Sequence, residues 1–84
     1  MAISAVKIDP RVEQVDFPAG RLEVSLRDGR VISAPLEWFP RLARASDDER
    51  RTWEPSAGGL GIHWPLADED LSVEGLLQGG GGVE

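Results

Sequence analysis

The stretch "GIHWPLADEDL", residues 61–71, gathers the chain's only histidine, one of its three tryptophans and three consecutive carboxylates. His63 with Asp68 and Asp70 supplies the donor atoms of a hydrolytic zinc site, which wants three protein ligands and an open fourth position. The spacing fits no HExxH arrangement, and a single histidine excludes a site built on two histidines and one carboxylate. A calcium loop alternates its acids, then needs glycine at the sixth position and glutamate at the twelfth. "DEDLSVEGLLQG" starts acidic and departs from that pattern. A general base needs an orienting partner and a nucleophile, and no strained elbow or oxyanion-forming glycines surround Ser72. The acids are expected to precede a helix, where free N–H groups and the helix dipole favour negative charge. His63 is then a residue on a strand face, and the stretch is a junction between strand and helix. If it has a function, the expected one is contact with a partner through His63, Trp64, Asp68, Glu69 and Asp70.

Two other clusters invite the same question. "SAGGLG", residues 56–61, is glycine-rich, but no Lys follows it and it leads into a strand, whereas a phosphate loop leads into a helix. It is expected to be a flexible loop. Arg41, Arg44, Arg50 and Arg51 lie on the middle helices, with Arg41 and Arg44 on one face. Asp47, Asp48 and Glu49 sit among them and no motif that reads DNA is present, so a solvated helix surface is expected. There is no cysteine, which excludes disulfides and thiolate chemistry.

Charge is segregated along the chain. All nine basic residues precede residue 54, together with nine of the fifteen acids. Residues 54–84 therefore carry the whole net charge of −6, on Glu54, Asp68, Glu69, Asp70, Glu74 and Glu84. Such a surface repels phosphate backbones and attracts basic proteins, chiefly by raising the association rate.

The elements that must position these residues are partly readable. "VEQVDF" (12–17) has strand composition with imperfect alternation, and "RLEVSL" (21–26) alternates cleanly, with Leu22, Val24 and Leu26 on one face. Pro18 and Gly20 suit a short loop between them. Asp28-Gly29 carries the signature of a two-residue type I′ turn into "RVISAP" (30–35). Residues 11–35 thus read as a three-stranded antiparallel meander. "AISAVKID" (2–9) extends the first strand or forms a separate edge strand, interrupted by Pro10.

Helical spacing follows at Leu36, Phe39, Leu42 and Ala43, with Pro40 suited to a first turn and a short helix to about Ala45. Ser46 and Glu49 form a capping box for a second helix, to about Trp53. "EPSAGGLG" is loop. Residues 60–64 form a short strand, or one arm of a hairpin, with Ile62 and Trp64 on one face and His63 on the other. Asp70 or Ser72 caps a last short helix, "SVEGLLQ". The expected fold class is α+β: one domain over residues 1–78 and a flexible glycine-rich tail over 79–84.

Eighty-four residues bury only roughly 60% of their unfolded surface. A core of that size without disulfides supplies roughly 3–5 kcal/mol. Trp38, Trp53 and Trp64 can each bury about 200 Å² and are expected to plug the core, with exposure at a binding face as the alternative for one of them. The N-terminus lacks the long apolar run of a signal peptide, no segment is apolar enough to span a bilayer, and a cytoplasmic location is expected.

Taken together, "LEVSLRDGRVISAPLEWFPRL" and "WEPSAGGLGIHWPLADEDLSVEGLL" resemble the domain-of-unknown-function family 2442 of small prokaryotic proteins, over about residues 11–78. The pieces that carry the resemblance are Asp28-Gly29-Arg30, Pro35-Leu36, Phe39 to Leu42, Trp53, Gly61 to Trp64, Asp68 to Ser72 and Leu76-Leu77. The resemblance implies a compact α+β domain, no known cofactor, and frequent encoding beside another small protein in an arrangement like a toxin–antitoxin pair. Some relatives add a helix-turn-helix domain. No such motif is read in this sequence, so direct nucleic-acid binding is not expected. The expected role is a non-enzymatic protein-interaction module whose partner is a small, basic protein encoded nearby, with a homodimer through an unpaired sheet edge also open. The rivals are a metal-dependent or acid–base enzyme centred on His63 and a nucleic-acid-associated regulator.

Overall fold

In the computed structural model, which describes residues 7–79, the N-terminal strand signals form the expected meander. β1 (Val12–Asp16), β2 (Arg21–Leu26) and β3 (Val31–Pro35) pair antiparallel in that order. The imperfect alternation of β1 has a local cause. The register slips between Val12 and Gln14, so an extra residue in β1 lets Val12 and Val15 both face the core. Most of "AISAVKID" and all but the first residue of the expected tail lie outside the described residues.

The β2–β3 turn differs from the expected type I′. Gly29 has φ +97° while Asp28 stays in the ordinary negative region. The Leu26 amide donates to Arg30 O (2.8 Å) and the Gly29 amide to Leu26 O (3.0 Å). That makes a three-residue loop, Arg27-Asp28-Gly29, with a glycine bulge at its end. Asp28 does not need a positive φ because its side chain is used elsewhere, as described below.

Leu36–Trp38 is a single 3₁₀ turn, and α1 (Pro40–Arg44) starts on Pro40 as the sequence implies. α2 (Asp47–Arg50) carries the predicted capping box: the Glu49 amide donates to Ser46 Oγ and the Ser46 amide to Glu49 Oε1. It ends sooner than expected, because the chain turns at Arg51–Thr52 to enter another strand.

The second sheet was only partly legible. β4 (Glu54–Ser56) lies in the stretch expected to be loop. Pro55 is tolerated there because β4 is an edge strand. β5 (Gly61–Trp64) is the expected short strand, here at the centre of the sheet, with Ile62 and Trp64 buried. The acids do not lead straight into a helix. Asp68, at φ +54°, closes a hairpin, and β6 (Glu69–Ser72) pairs back along β5. The last helix, α3 (Val73–Leu77), is capped by Ser72, whose Oγ accepts from the Gly75 amide, and not by Asp70.

The two sheets share one core, with Trp64, Phe39, Leu22, Leu42, Ile62 and Val24 fully buried. The tryptophans divide. Trp64 is a core plug, Trp53 packs partly against the core, and Trp38, 42% exposed, is the one that takes the exposed alternative. Where the halves meet, Gly59 (φ +98°) lies under the Arg11 stem. A Cβ there would stand 2.9 Å from Arg11 Cγ.

Arg50 joins these parts. Its Nε donates to Leu42 O (2.8 Å), one terminal nitrogen to Ala43 O (3.0 Å) and the other to Asp47 Oδ1 (2.9 Å). Its guanidinium lies 5.7 Å from the Phe17 ring centroid, and its own carbonyl accepts from Trp64 Nε1 (3.1 Å). Lysine carries the charge but not the planar fork that reaches three acceptors at once. Arg50→Lys is expected to lower stability by about 1–3 kcal/mol, read as a lower urea midpoint with an unchanged slope.

Candidate functional site

Strand pairing brings His63 between two carboxylates. Glu54 on β4 and Asp70 on β6 stand directly opposite it, so acid, imidazole and acid form one row across the sheet. All three lie on the face away from Ile62 and Trp64, because side chains alternate along β5. His63 Nδ1 and Asp70 Oδ1 are 2.9 Å apart. A carboxylate on Nδ1 orients the ring and leaves Nε2 as the nitrogen free to exchange a proton.

Catalysis would need more than this pair. Ser56 and Ser72 occupy the next row, opposite Gly61. Ser72 Oγ is engaged in capping α3. Ser56 Oγ lies so close over Gly61 that a Cβ there would be 2.7 Å from it. Among the described residues neither hydroxyl bonds His63, and no three His, Asp or Glu side chains converge as a metal site would require. An open groove of about 530 Å³ lies elsewhere, between the end of β1 and α2; Asp47, Arg50, Arg51 and Trp53 line it, and no residue of the 61–71 stretch does.

The acids of the stretch are separated by the hairpin. Asp68 projects from the turn with its side chain 92% exposed. Arg41 on α1 donates to its carbonyl (2.6 Å) and pairs with its carboxylate (3.6 Å). Glu69 pairs opposite Trp64 and accepts the Asp70 amide, while the Asp70 side chain is 72% exposed. Trp64 is wholly buried and offers no partner contact, a correction to its place among the contact residues. Phe39 is core. Glu54 and Arg41 were missed as neighbours of the site, Glu54 because β4 read as loop. The only signal for it was the short Pro-containing segment before the glycines.

Asp28 and Gly29 form a separate structural unit. The Asp28 side chain is 2% exposed. It accepts the Asp9 amide (3.0 Å), the Arg30 amide (3.1 Å) and the Arg30 guanidinium (2.9 Å). The Arg30 side-chain bonds, helped by the two amides, outweigh desolvation and hold its carboxyl well below the ordinary 3.8, at about 2. Asp9 is also lowered, first by its bonds to Arg11. Asp28 thus straps the segment before β1 to the β2–β3 turn.

These features define a small α+β domain of two three-stranded antiparallel sheets. Among its described residues no helix is long and apolar enough to cross a membrane. The chain belongs to the family described as protein of unknown function (DUF2442), whose model matches residues 12–82, so the resemblance read in the sequence holds. The fold is similar to the solution NMR structure of an uncharacterized protein from Chromobacterium violaceum. The TM-score is 0.74 and the identity 26%, over 86% of this chain and 68% of that one. It is also similar to the crystal structure of a protein of unknown function from Rhodospirillum rubrum, with TM-score 0.70 and 32% identity over 82% of this chain and 86% of that one. None of the curated proteins matches the chain.

A carboxyl whose folded pKa is depressed stabilises the fold above its unfolded pKa and loses that contribution as it protonates. For Asp28 the window runs from 3.8 down to about 2. Wild-type stability, followed by urea titration at stepped pH, is expected to fall through that window. The Asp28→Asn variant is expected to start lower and fall less steeply.

Proposed function

We propose that this domain is a non-enzymatic protein-interaction module. It presents the acidic outer face of its second sheet to a small basic protein, as the antitoxin-like member of a two-gene pair. The observation that carries this reading is the charge on that half of the molecule. From residue 54 onward there is no lysine or arginine. Glu54 and Asp70 flank His63 on an outer sheet face, and Asp68 stands out from the adjoining turn. Arg41 is the one cation that reaches this region among the described residues. Carboxylates in excess of cations on an open face steer a basic partner into encounter and set the salt dependence of its association rate. Binding then orders His63, which can donate or accept through Nε2.

A second reading has one observation in its favour. The His63–Asp70 contact orients an imidazole as acid–base enzymes do. It separates cleanly from the first, because loss of His63 alone would abolish a reaction while leaving charge-driven association largely intact.

Co-expression with the product of the neighbouring gene is expected to give a stable complex. Reversing Asp68 and Asp70 to lysine is expected to slow association by about tenfold or more at low salt, with circular dichroism unchanged. Absence of a complex, or a complex indifferent to both reversals and to salt, sinks the proposal.

A further inference from the structure

We propose that β1 is a dimerisation strand, and that its partner is β1 of a second copy of this chain, paired antiparallel about Val15. The hydrogen-bond ladder dictates which groups are free. Leu26 turns its amide toward Arg30, so the alternate residues Ser25 and Glu23 turn theirs toward β1, where they meet Gln14 and Asp16. Val15, between those two, points its amide and carbonyl off the sheet edge. Among the described residues its carbonyl receives only a long contact from Gln14 Nε2 (3.4 Å). The Val15 side chain meanwhile stays in the core. An edge of this kind is a template for another strand.

The other sheet edges are blunted in ways that β1 is not. β3 ends in Pro35, β4 has Pro55 at its centre, and β6 carries adjacent Glu69 and Asp70. Within Val12–Asp16 there is no proline and no lysine. The bulge that disturbs β1 falls before Gln14, so Gln14 to Asp16 remain regular. Nor is this stretch covered. α2 and Trp53 stand off it, leaving the groove of about 530 Å³ lined by Gln14 to Phe17 on one side and by Asp47, Arg50 and Trp53 with Arg51 on the other.

Charge selects the occupant. β1 itself is acidic, carrying Glu13 and Asp16 and no base. The far wall of the groove carries Arg50 and Arg51. Arg50 is committed to the α1 carbonyls and Asp47, whereas Arg51, just past the end of α2, is 71% exposed and among the described residues pairs only with the exposed Asp48. A second β1 strand entering the groove brings its carboxylates toward Arg51. Antiparallel pairing about Val15 sets Asp16 of each copy opposite Gln14 of the other, so an acid meets an amide donor and like charges do not face each other. Valine meets valine on the core face, and the half-buried Phe17 and Trp53 are covered. The contact is isologous and closes as a pair. It lies on the first sheet, away from the acidic face of the second, so either proposal can fail without the other.

Sedimentation equilibrium of the full chain, run from micromolar concentration up to about 1 mM, tests this directly. A reversible monomer–dimer equilibrium that weakens with salt is expected. Val15→Pro removes an amide that points off the edge and leaves the β1–β2 ladder bonds in place, so it should abolish the dimer. Arg51→Glu, on an exposed side chain, should weaken it by on the order of tenfold. Adding Asp16→Lys to Arg51→Glu should restore it. Should Val15→Pro unfold the chain, as circular dichroism would reveal, the Arg51 and Asp16 pair still decides. A chain that stays monomeric throughout, or a dimer indifferent to these changes, overturns the proposal.

Discussion

One arginine ties the two halves of this domain together. Arg50 closes the C-terminal end of α1 through two carbonyls, pairs within α2, lies against Phe17 at the end of β1 and offers its own carbonyl to the buried Trp64 indole. Each bond alone is modest, but helices of five and four residues have little stability of their own. Their positions come from this shared donor and from the core beneath it. Because the guanidinium spends all three nitrogens inside the fold, it adds little to the protein's outward charge, and the basic residues before position 54 contribute less to surface recognition than their number suggests.

The first sheet was legible because its cause is local. Clean alternation in β2, glycine-bearing turns and the capping box of α2 are written in adjacent residues. The second sheet is written across distance. Pro55 and three nearby glycines disguise β4, whose strand state exists only because β5 lies beside it. The acids 68–70 fit two local rules, helix N-terminus and hairpin, and the left-handed Asp68 decides for the hairpin. Of the candidate site, the facing of His63 away from the core could be read from alternation. Its two carboxylate neighbours could not, since one depended on β4 and the other on the β5–β6 register. Asp28 was recognised as a turn residue, but its grip on the Asp9 amide comes from a segment that no local pattern connects to it.

The kinship with proteins of unknown function in Chromobacterium violaceum and Rhodospirillum rubrum carries the fold and no activity. What this chain adds is a division of labour between its sheets. The first is electrically mixed, with its acids and arginines interleaved, and the second has carboxylates on its outer face that face solvent. Small domains have too little interior to hide much chemistry, and here the single imidazole stands on an open sheet, not in a cleft.

The Arg11 stem lying across Gly59 has a consequence for how the chain comes into being. The meander is complete once residue 35 has been made, yet it shares its core with Ile62, Trp64 and Leu71, which emerge much later. During synthesis, at roughly 5–20 residues per second, Leu22, Val24 and Leu26 wait uncovered for seconds. The ribosome therefore releases a finished sheet with its oily side open, and the glycine turn that passes beneath the Arg11 stem arrives only afterwards.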